Sequence, residues 1–531
     1  MGHGYDAVAD ALVESGVRTL FGLLGNTNLA LAATLVARGV RFVGARQETA
    51  AVSMAAGHAW AAGRPTACTV THGPGLSNAL TGLRSAVRDR LPVVLVVGDI
   101  RDAPAWNAQR ADHPAMLGWT GARVVDCRES SALSAAVREA FAVAAARRLP
   151  VVVNIGAGLL SGPAAPQDPW HEPAPPDPPP EPDGDAVARA GALLRGAERP
   201  LVLAGRGALW SGAGPELRQL AERTGALLAT SLPAKGLFAP DPFDLGVCGG
   251  YSTPLTRELV GESDVVLAAG VGLGGYTTDG GTLLRGARIV HCDLSPRGDA
   301  EVAVRGDARA VVRRLLDSVS GGGTRRRTPA VASRIAAAAR SPDGGDGGGL
   351  DPREVLRAVD RVLAPRRQVV LDVGHFTTFP SQLVSAGAGR FLAALGFGSV
   401  GLSTATGIGA ALGRDAPTLV VVGDGGALMS LGELETLGRV GAPVTVLVLN
   451  DSAYGAEIHH LRRHGLPEDL ALFPRTDFAA VARALGVAAV TWRQGDDLGR
   501  LAEELPTNGP VLVDALVTRS VVADKFISHN G

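Results

Sequence analysis

Short, uninterrupted apolar runs recur along the chain and alternate with longer segments of helical periodicity. The runs that predict strands are residues 41–45, 66–70, 92–98, 150–155, 200–205, 226–231, 264–270, 287–293, 368–374, 418–424, 443–450 and 510–517. Segments such as 47–62 and 132–147 predict helices between them. Apolar runs without polar alternation are typical of parallel strands that are buried on both faces. The pattern therefore predicts an α/β protein built from doubly wound parallel sheets.

Two breaks in composition divide this pattern into three blocks. Residues 163–183 are rich in proline, which cannot donate to a regular backbone ladder and favours an extended path. Residues 320–350 carry glycine clusters on both sides of a short helical segment. We interpret both segments as linkers, and we predict three domains over residues 1–162, 184–319 and 351–531.

Length, charge and cysteine content narrow the class of protein. The 531 residues are enough for about three domains, and 46% hydrophobic and 19% charged residues are ordinary for a globular enzyme. A formal net charge of -1 gives no support to nucleic-acid binding. The four cysteines lie far apart without metal-ligand spacing, the apolar runs are too short to span a bilayer, and the first residues lack a signal-peptide core. We expect a cytoplasmic protein without a membrane partner.

The strongest chemical motif lies in the third block. The strand 418–422 leads directly into Gly423-Asp424-Gly425-Gly426, and the next strand ends at Asn450-Asp451. Ligands of open α/β sheets bind at the carboxyl ends of the strands. Glycines let the backbone approach a diphosphate, and the start of the following helix offers unpaired amides. Asp424 and Asp451 are both suited to bind Mg²⁺, which would bridge to the diphosphate.

This motif resembles the diphosphate-binding motif of thiamine diphosphate (ThDP) enzymes. The resemblance implies that Asp424, Asp451 and the backbone carbonyl of Ala453 hold Mg²⁺. The family usually carries two asparagines where this chain has Asn450-Asp451, so one additional negative charge lies near the diphosphate.

Residues 46–51 in the first block (Arg-Gln-Glu-Thr-Ala-Ala) are similar to a second family segment, R-H-E-x-x-A. The resemblance implies that Glu48 contacts the aminopyrimidine ring and promotes the imino tautomer, which removes the proton from thiazolium C2. Residues 21–29, 71–78 and 398–401 resemble further family segments, and Val400 is the candidate support for the bent cofactor. The cofactor-binding residues implied in this way are Gly25, Asn26, Glu48, Gly73, Asn78, His375, Val400, Gly423, Asp424, Gly425, Gly426, Asn450, Asp451, Ala453 and Tyr454.

The order of the three blocks is similar to that of acetolactate synthase, pyruvate decarboxylase and benzoylformate decarboxylase. Besides Glu48, the candidate catalytic residues are His72, His113 and Glu457. His72 matches the active-site histidine of benzoylformate decarboxylase, while His113 and Glu457 match pocket residues of pyruvate decarboxylase. Asn26 replaces the acid that completes the proton relay of the latter family, so that relay is incomplete. We interpret His459, His460 and His464 as a solvated helix face and not as a metal site.

Residues 270–275 in the middle block match G-x-G-x-x-G, which would allow a nucleotide such as the FAD of acetolactate synthase. The arginine- and aspartate-rich run that acetolactate synthases carry here is replaced by this glycine string. We therefore predict that the site holds no nucleotide.

The resemblance leaves several functions open. A 2-oxo acid is decarboxylated, and the enamine either attacks a second carbonyl compound or is protonated to release an aldehyde. The domain lengths favour ligation, whereas His113 and Glu457 favour simple decarboxylation. A non-catalytic cofactor-binding paralogue is a third reading, which the retained Glu48 and Asp424 disfavour, and an NAD oxidoreductase is the weakest. The family arrangement also implies a homodimer or homotetramer, because each cofactor lies between two subunits.

Overall fold

The protein is described by a computed structural model that covers residues 2–169, 177–319, 321, 323–338, 348–363, 366–506 and 508–527. Within these residues the chain forms three six-stranded sheets, in which every paired strand is parallel to its neighbour. Helices connect the strands. The predicted fold class, three doubly wound parallel α/β sheets, is confirmed.

The N-terminal sheet has the strand order β2-β1-β3-β4-β6-β5. Its strands are β1 (Thr19–Gly22), β2 (Arg41–Gly44), β3 (Thr66–Val70), β4 (Val93–Asp99), β5 (Arg123–Cys127) and β6 (Val151–Gly156). Its helices are α1 (Gly4–Glu14), α2 (Leu29–Ala37), α3 (Glu48–Ala62), α4 (Pro74–Asp89), α5 (His113–Gly118), α6 (Leu133–Arg147) and α7 (Ala157–Ser161).

The central sheet has the order β12-β11-β10-β7-β8-β9, which is the doubly wound order of dinucleotide-binding folds. Its strands are β7 (Pro200–Ala204), β8 (Leu227–Thr230), β9 (Asp244–Val247), β10 (Val265–Ala269), β11 (Arg288–Asp293) and β12 (Val302–Arg305). Its helices are α8 (Gly184–Gly196), α9 (Arg206–Trp210), α10 (Gly214–Thr224), α11 (Pro254–Gly261), α12 (Gly275–Thr278), α13 (Ala308–Ser318) and α14 (Pro329–Ala338).

The C-terminal sheet has the order β14-β13-β15-β16-β18-β17, which repeats the order of the N-terminal sheet. Its strands are β13 (Gln368–Leu371), β14 (Phe391–Ala393), β15 (Thr418–Gly423), β16 (Val444–Asn450), β17 (Ala488–Trp492) and β18 (Val511–Leu516). Its helices are α15 (Pro352–Val362), α16 (Thr378–Leu383), α17 (Ser403–Arg414), α18 (Asp424–Met429), α19 (Gly432–Val440), α20 (Gly455–Arg463), α21 (Phe478–Ala484), α22 (Leu498–Glu503) and α23 (Asp524–Ile527).

The N- and C-terminal domains share one hydrophobic core, and α3 and α17 form its closest contact. Most residues of α3 are buried. A Cβ atom on Gly57 would overlap the Thr406 carbonyl, and one on Gly409 would overlap the Met54 carbonyl. Glycine at these positions therefore lets the two helix backbones touch.

The segments expected to be linkers pack on neighbouring domains where they are described. The Ala164 amide donates to the Gly2 carbonyl at 2.8 Å, next to the N-terminal domain. In the second segment, the buried Arg326 donates to the Leu259 carbonyl at 2.8 Å, and Arg327 pairs with Asp241 at 3.0 Å. Residues 170–176, 320, 322 and 339–347 of these segments lie outside the described residues.

Among the described residues, no helix is both long enough and apolar enough to cross a bilayer.

Candidate active site

The shared strand order of the outer sheets places a crevice at the same point in each. In both sheets the second strand is added on one side of the first and the third on the other, which leaves a gap between loops at the carboxyl ends. In the C-terminal domain these loops follow β13 and β15, and in the N-terminal domain they follow β1 and β3. Gly25, His72 and His375 lie on these loops, and Asp424 begins the helix that directly follows β15.

The loop after β15 has no room for side chains at two glycines. A Cβ atom on Gly425 would overlap the Tyr454 ring, and one on Gly426 would overlap the Asp372 carboxylate. The backbone of residues 423–426 therefore lines the cavity directly, together with Tyr454 and Val400. Without side chains in the way, the backbone amides can approach a diphosphate closely enough to donate hydrogen bonds to it.

Two buried carboxyl groups lie beside this glycine loop. Asp424 accepts hydrogen bonds from the Gly425 amide at 2.9 Å and from the Ser452 amide at 2.6 Å, whereas the buried Oδ1 of Asp451 has no hydrogen-bond partner. Burial raises the pKa of Asp424 to about 6. Burial and the negative charge of Asp424 raise the pKa of Asp451 to about 8. A bound cation would offset the negative charge of this pair, and carboxylate oxygens are ligands that Mg²⁺ prefers.

Asp372, which the sequence analysis did not single out, anchors the loop that carries Val400. Its buried carboxylate accepts the Gly401 amide at 2.9 Å, and Gly401 has a φ of 85°, which favours glycine. Burial raises the pKa of Asp372 to about 6 against these hydrogen bonds. Val400 lines the same cavity as Asp424, so Asp372 sets the position of the predicted cofactor support.

His375 follows β13 and is buried in an aromatic cluster. Its Nε2 accepts the Ala523 amide at 3.0 Å, and its Nδ1, which is also buried, has no partner. Burial, with a smaller contribution from His459, lowers the pKa of His375 to about 3. The ring is therefore neutral, and it lines the cavity of Asp424 as predicted from its place at the end of a strand.

Asn450 precedes the acid pair and has a structural role. Its Nδ2 donates to Asp514 at 2.8 Å and to the Thr476 carbonyl at 3.0 Å. These contacts tie the end of β16 to β18. Asn450 therefore supports the Asp451 turn and is not among the residues that line the cavity.

Glu48 begins α3, and its side chain is buried beneath the turn that follows β3. Asn78 donates to Glu48 Oε2 at 3.1 Å, and Oε1 lies beside Gly75. The structure thus brings together Glu48, which was predicted to contact the aminopyrimidine ring, and Asn78, which was predicted to bind the cofactor.

His72 lies in the same turn, among three polar neighbours. Its Nε2 is 2.9 Å from Gln109 Oε1, and its Nδ1 is 3.3 Å from Thr71 Oγ1 and 3.4 Å from Thr27 Oγ1. Gln109 was missed by the sequence analysis, because it lies in a stretch without periodic pattern. In the neighbouring loop Gly25 packs against Thr71, while Asn26 is exposed.

His113 was expected to face the substrate, but the structure places it elsewhere. Its ring is fully buried, Nε2 accepts the Gly73 amide at 3.3 Å, and Nδ1 meets Asn154 at 2.9 Å. Because the ring is fully buried and both nitrogens are engaged by protein groups, His113 presents no exposed nitrogen to a substrate. It supports the turn that carries His72.

Comparison with protein families matches all three domains. The models for the thiamine pyrophosphate enzyme N-terminal TPP binding domain, central domain and C-terminal TPP binding domain match residues 2–114, 187–315 and 372–515. The chain belongs to the thiamine pyrophosphate enzyme family.

Relatives with several activities align along nearly the whole of this family member. It is 31% identical to the acetolactate synthase large subunit of Parasynechococcus marenigrum (strain WH8102), over 97% of this chain and 88% of that protein. It is also 31% identical to a probable 2-ketoarginine decarboxylase of Pseudomonas aeruginosa, over 94% of this chain and 90% of that protein. A sulfoacetaldehyde acetyltransferase of Alcaligenes xylosoxydans xylosoxydans is 27% identical, over 93% of this chain and 89% of that protein.

The C-terminal cavity of this thiamine pyrophosphate enzyme suits ThDP with a divalent cation. The side-chain-free glycine turn and His375, whose Nδ1 is unpaired, line this cavity and would suit a polar ligand. Asp451, with its unpaired Oδ1, lines an adjoining cavity that shares His375 and Gly455. The first cavity is lined entirely by residues between Leu371 and Glu457, and Glu48 is not in this lining. We call the Glu48 turn and the Asp424 cavity the two partial sites.

Glu457 and the nearby histidines lie at the edge of this cavity. Glu457 is exposed and lines it together with Tyr454. His459 packs on His375 with ring centroids 4.8 Å apart, and His460 packs on Phe526 at 6.2 Å.

The glycine string of the central domain follows β10, next to β7. A Cβ atom on Gly270 would overlap the backbone of Ala208, and one on Gly205 would overlap the Gly270 carbonyl, so these glycines serve close packing. Gly274 and Gly275 line a cavity of about 790 Å³ between the domains. That no FAD binds there stays a prediction.

The acid pair predicts a pH-dependent affinity for Mg²⁺. Because Asp451 holds a proton at neutral pH until a cation replaces it, Mg²⁺ binding should release that proton. We expect the Mg²⁺ affinity, measured by calorimetry at saturating ThDP, to rise by up to about tenfold per unit between about pH 6 and pH 8.

Asp451→Asn is the matched control, because it keeps an oxygen ligand and removes the titrating group. Titration of ThDP itself is common to both proteins, so the difference between them reports Asp451. Equal pH slopes in the two proteins would contradict the assignment.

Proposed function

We propose that the protein is a ThDP- and Mg²⁺-dependent enzyme that decarboxylates a 2-oxo acid and joins the remaining fragment to a second carbonyl compound. When bound, ThDP would supply a nucleophilic carbon and would accept the electron pair of the bond that breaks when CO₂ leaves. The observation that supports catalysis most directly is the hydrogen bond from Asn78 to the buried Glu48, since a paralogue that only binds the cofactor has no need for it.

Glu48 holds and moves a proton in this proposal. Asn78 donates to one carboxylate oxygen and so orients the other, beside Gly75, toward the cofactor ring. Asp424, Asp451 and the Ala453 carbonyl would hold Mg²⁺, and the glycine loop would bind the diphosphate.

Ligation is favoured over aldehyde release by the place of His113. The argument for a simple decarboxylase depended on two pocket residues, His113 and Glu457, and His113 has no free nitrogen for substrate. Several of the relatives are acetolactate synthases, which also supports ligation. Glu457 at the cavity edge and the relative named as a 2-ketoarginine decarboxylase favour the alternative.

CO₂ release separates these reactions when the product is analysed as well. The purified protein is incubated with ThDP, Mg²⁺ and pyruvate or a larger 2-oxo acid, with and without an added carbonyl acceptor. We expect CO₂ together with an acyloin or acetohydroxy acid. Free aldehyde as the main product would contradict ligation, and no CO₂ from any acid would contradict both reactions.

Glu48→Gln is predicted to remove nearly all turnover while the fold persists. Glutamine fills the same space and still meets Asn78, but it cannot exchange a proton. We expect kcat to fall by at least about 100-fold, with the thermal midpoint unchanged. Asn78→Asp is an informative companion, because it keeps the size and places a second carboxylate against Glu48. Full activity of Glu48→Gln would disprove the proton role.

We further propose that two copies of the chain share each active site. The proposal rests on the two partial sites, because Glu48 is absent from the lining of the Asp424 cavity. A partner copy would bring its Glu48 to that cavity, which makes a homodimer the smallest active unit and also suits a homotetramer.

Mixing two inactive variants tests the shared site. In a hybrid of Glu48→Gln and Asp424→Ala chains, one of the two sites is intact if each site takes its residues from different chains. Random reassociation makes half of the dimers hybrids, so we expect about one quarter of the wild-type activity. If each site belonged to one chain, the mixture would stay inactive. Each variant alone, taken through the same unfolding and refolding, is the control.

A further inference from the structure

A buried hydrogen-bonded chain runs from the surface of the N-terminal domain to the turn that carries His72. It begins at Asp99 and Asp126, which pair with Arg101 and Arg128, and passes through Asn154 to His113. It ends at the Gly73 amide. The mechanism proposed above uses none of these groups.

The contacts of Asn154 determine which nitrogen of His113 carries the hydrogen. Asn154 Nδ2 donates to Asp99 at 2.9 Å and to Asp126 at 2.8 Å, so both of its hydrogens are used. Its Oδ1 therefore faces His113 Nδ1 as an acceptor, and Nδ1 carries the hydrogen. His113 Nε2 is left with a lone pair, which accepts the Gly73 amide.

The two carboxylates hold Asn154 in that orientation. Burial alone would raise the pKa of Asp99, but hydrogen bonds from Arg128, Arg101 and Asn154 keep it well below its usual range. Hydrogen bonds from Arg128 and Asn154 similarly outweigh burial and lower the pKa of Asp126. As ionised groups, Asp99 and Asp126 can only accept hydrogen bonds, so a flip of the Asn154 amide would face oxygen with oxygen.

The turn at Gly73 links this chain to His72. Gly73 has a φ of 54°, and a Cβ atom there would overlap the Gln109 carbonyl, so the backbone path admits only glycine. The side chain of the same Gln109 contacts His72 Nε2. A displacement of the Gly73 amide would therefore move His72 relative to its partner.

We propose that His113 is a positioning residue that holds the Gly73 amide and thereby orients His72 for proton transfer to or from the substrate. The proposal rests on the proposed function and on the resemblance of His72 to the active-site histidine of benzoylformate decarboxylase, which implies that His72 faces the substrate. His113 itself touches neither substrate nor cofactor.

Two amide substitutions separate the contacts of His113. The side-chain oxygen of His113→Gln reaches the place of Nε2 and can still accept the Gly73 amide. His113→Asn reaches only the place of Nδ1, so it can keep Asn154 but not Gly73. Each variant thus loses one buried contact, and the two serve as matched controls for each other.

The first readout needs no substrate. Hydrogen exchange at the Gly73 amide, followed in peptides that span residues 71–80, should be at least about tenfold faster in His113→Asn than in His113→Gln at equal thermal midpoints. The Mg²⁺ affinity should stay within about twofold, because the proposed ligands Asp424 and Asp451 lie in the C-terminal domain. Equal exchange in the two variants would overturn the hydrogen-bonded chain.

The second readout uses the 2-oxo acid that the wild type decarboxylates. We expect kcat to fall by about tenfold or more in His113→Asn and by less than about threefold in His113→Gln, with KM nearly unchanged in both. On a His72→Asn background, His113→Asn should lower kcat by less than about twofold, since the residue through which it acts is gone.

Additive losses in the double variant would overturn the action through His72. A wild type that releases no CO₂ would instead overturn the proposed function, and the exchange comparison would still decide whether His113 holds Gly73.

Discussion

The close contact between α3 and α17 is the constraint on which the two cofactor-binding domains depend. Gly57 and Gly409 let the helix backbones touch, and no side chain larger than glycine fits there without a backbone shift. Such shifts in a packed core cost about 1–3 kcal/mol. Helix α3 begins at Glu48, and α17 begins two residues after Gly401, beside the Val400 loop. The same contact that forms the core therefore fixes the start of α3, at Glu48, relative to the start of α17, beside the Val400 loop.

The sequence predicted the interior of each sheet and missed most of its edges. Four strands per sheet were predicted from apolar runs, and the six missed strands are β1, β5, β9, β12, β14 and β17. All but β1 lie at a sheet edge. An edge strand such as β5 is partly exposed, so its sequence mixes polar and apolar residues and lacks the signal of a strand buried on both faces. β1 contains only two large apolar residues, Leu20 and Phe21, before Gly22 interrupts them, so it shows no apolar run.

Some site residues could be predicted from their position along the chain, whereas the roles of others depend on tertiary packing. Asp424, His375 and Glu48 directly follow or nearly follow predicted strands, so topology places them at crevices. His113 and Gln109 were misread or missed, because their partners Asn154, Gly73 and His72 are far away in sequence. One signal was present: an amide inside the apolar run of β6 must find buried partners, and Asn154 was such an amide.

The C-terminal crevice buries two carboxyl groups, those of Asp424 and Asp451. Burying them side by side raises the pKa values of both. The folded chain therefore binds these protons more tightly than the unfolded chain does, and the free energy of unfolding falls as the pH rises and the protons are released. Arg519 offsets part of the Asp451 charge from the edge of the site. A divalent cation would offset it fully, and a diphosphate could then bind beside it. If the acid pair binds Mg²⁺, as proposed above, its burial lowers the stability of the chain and in return provides affinity for the cofactor.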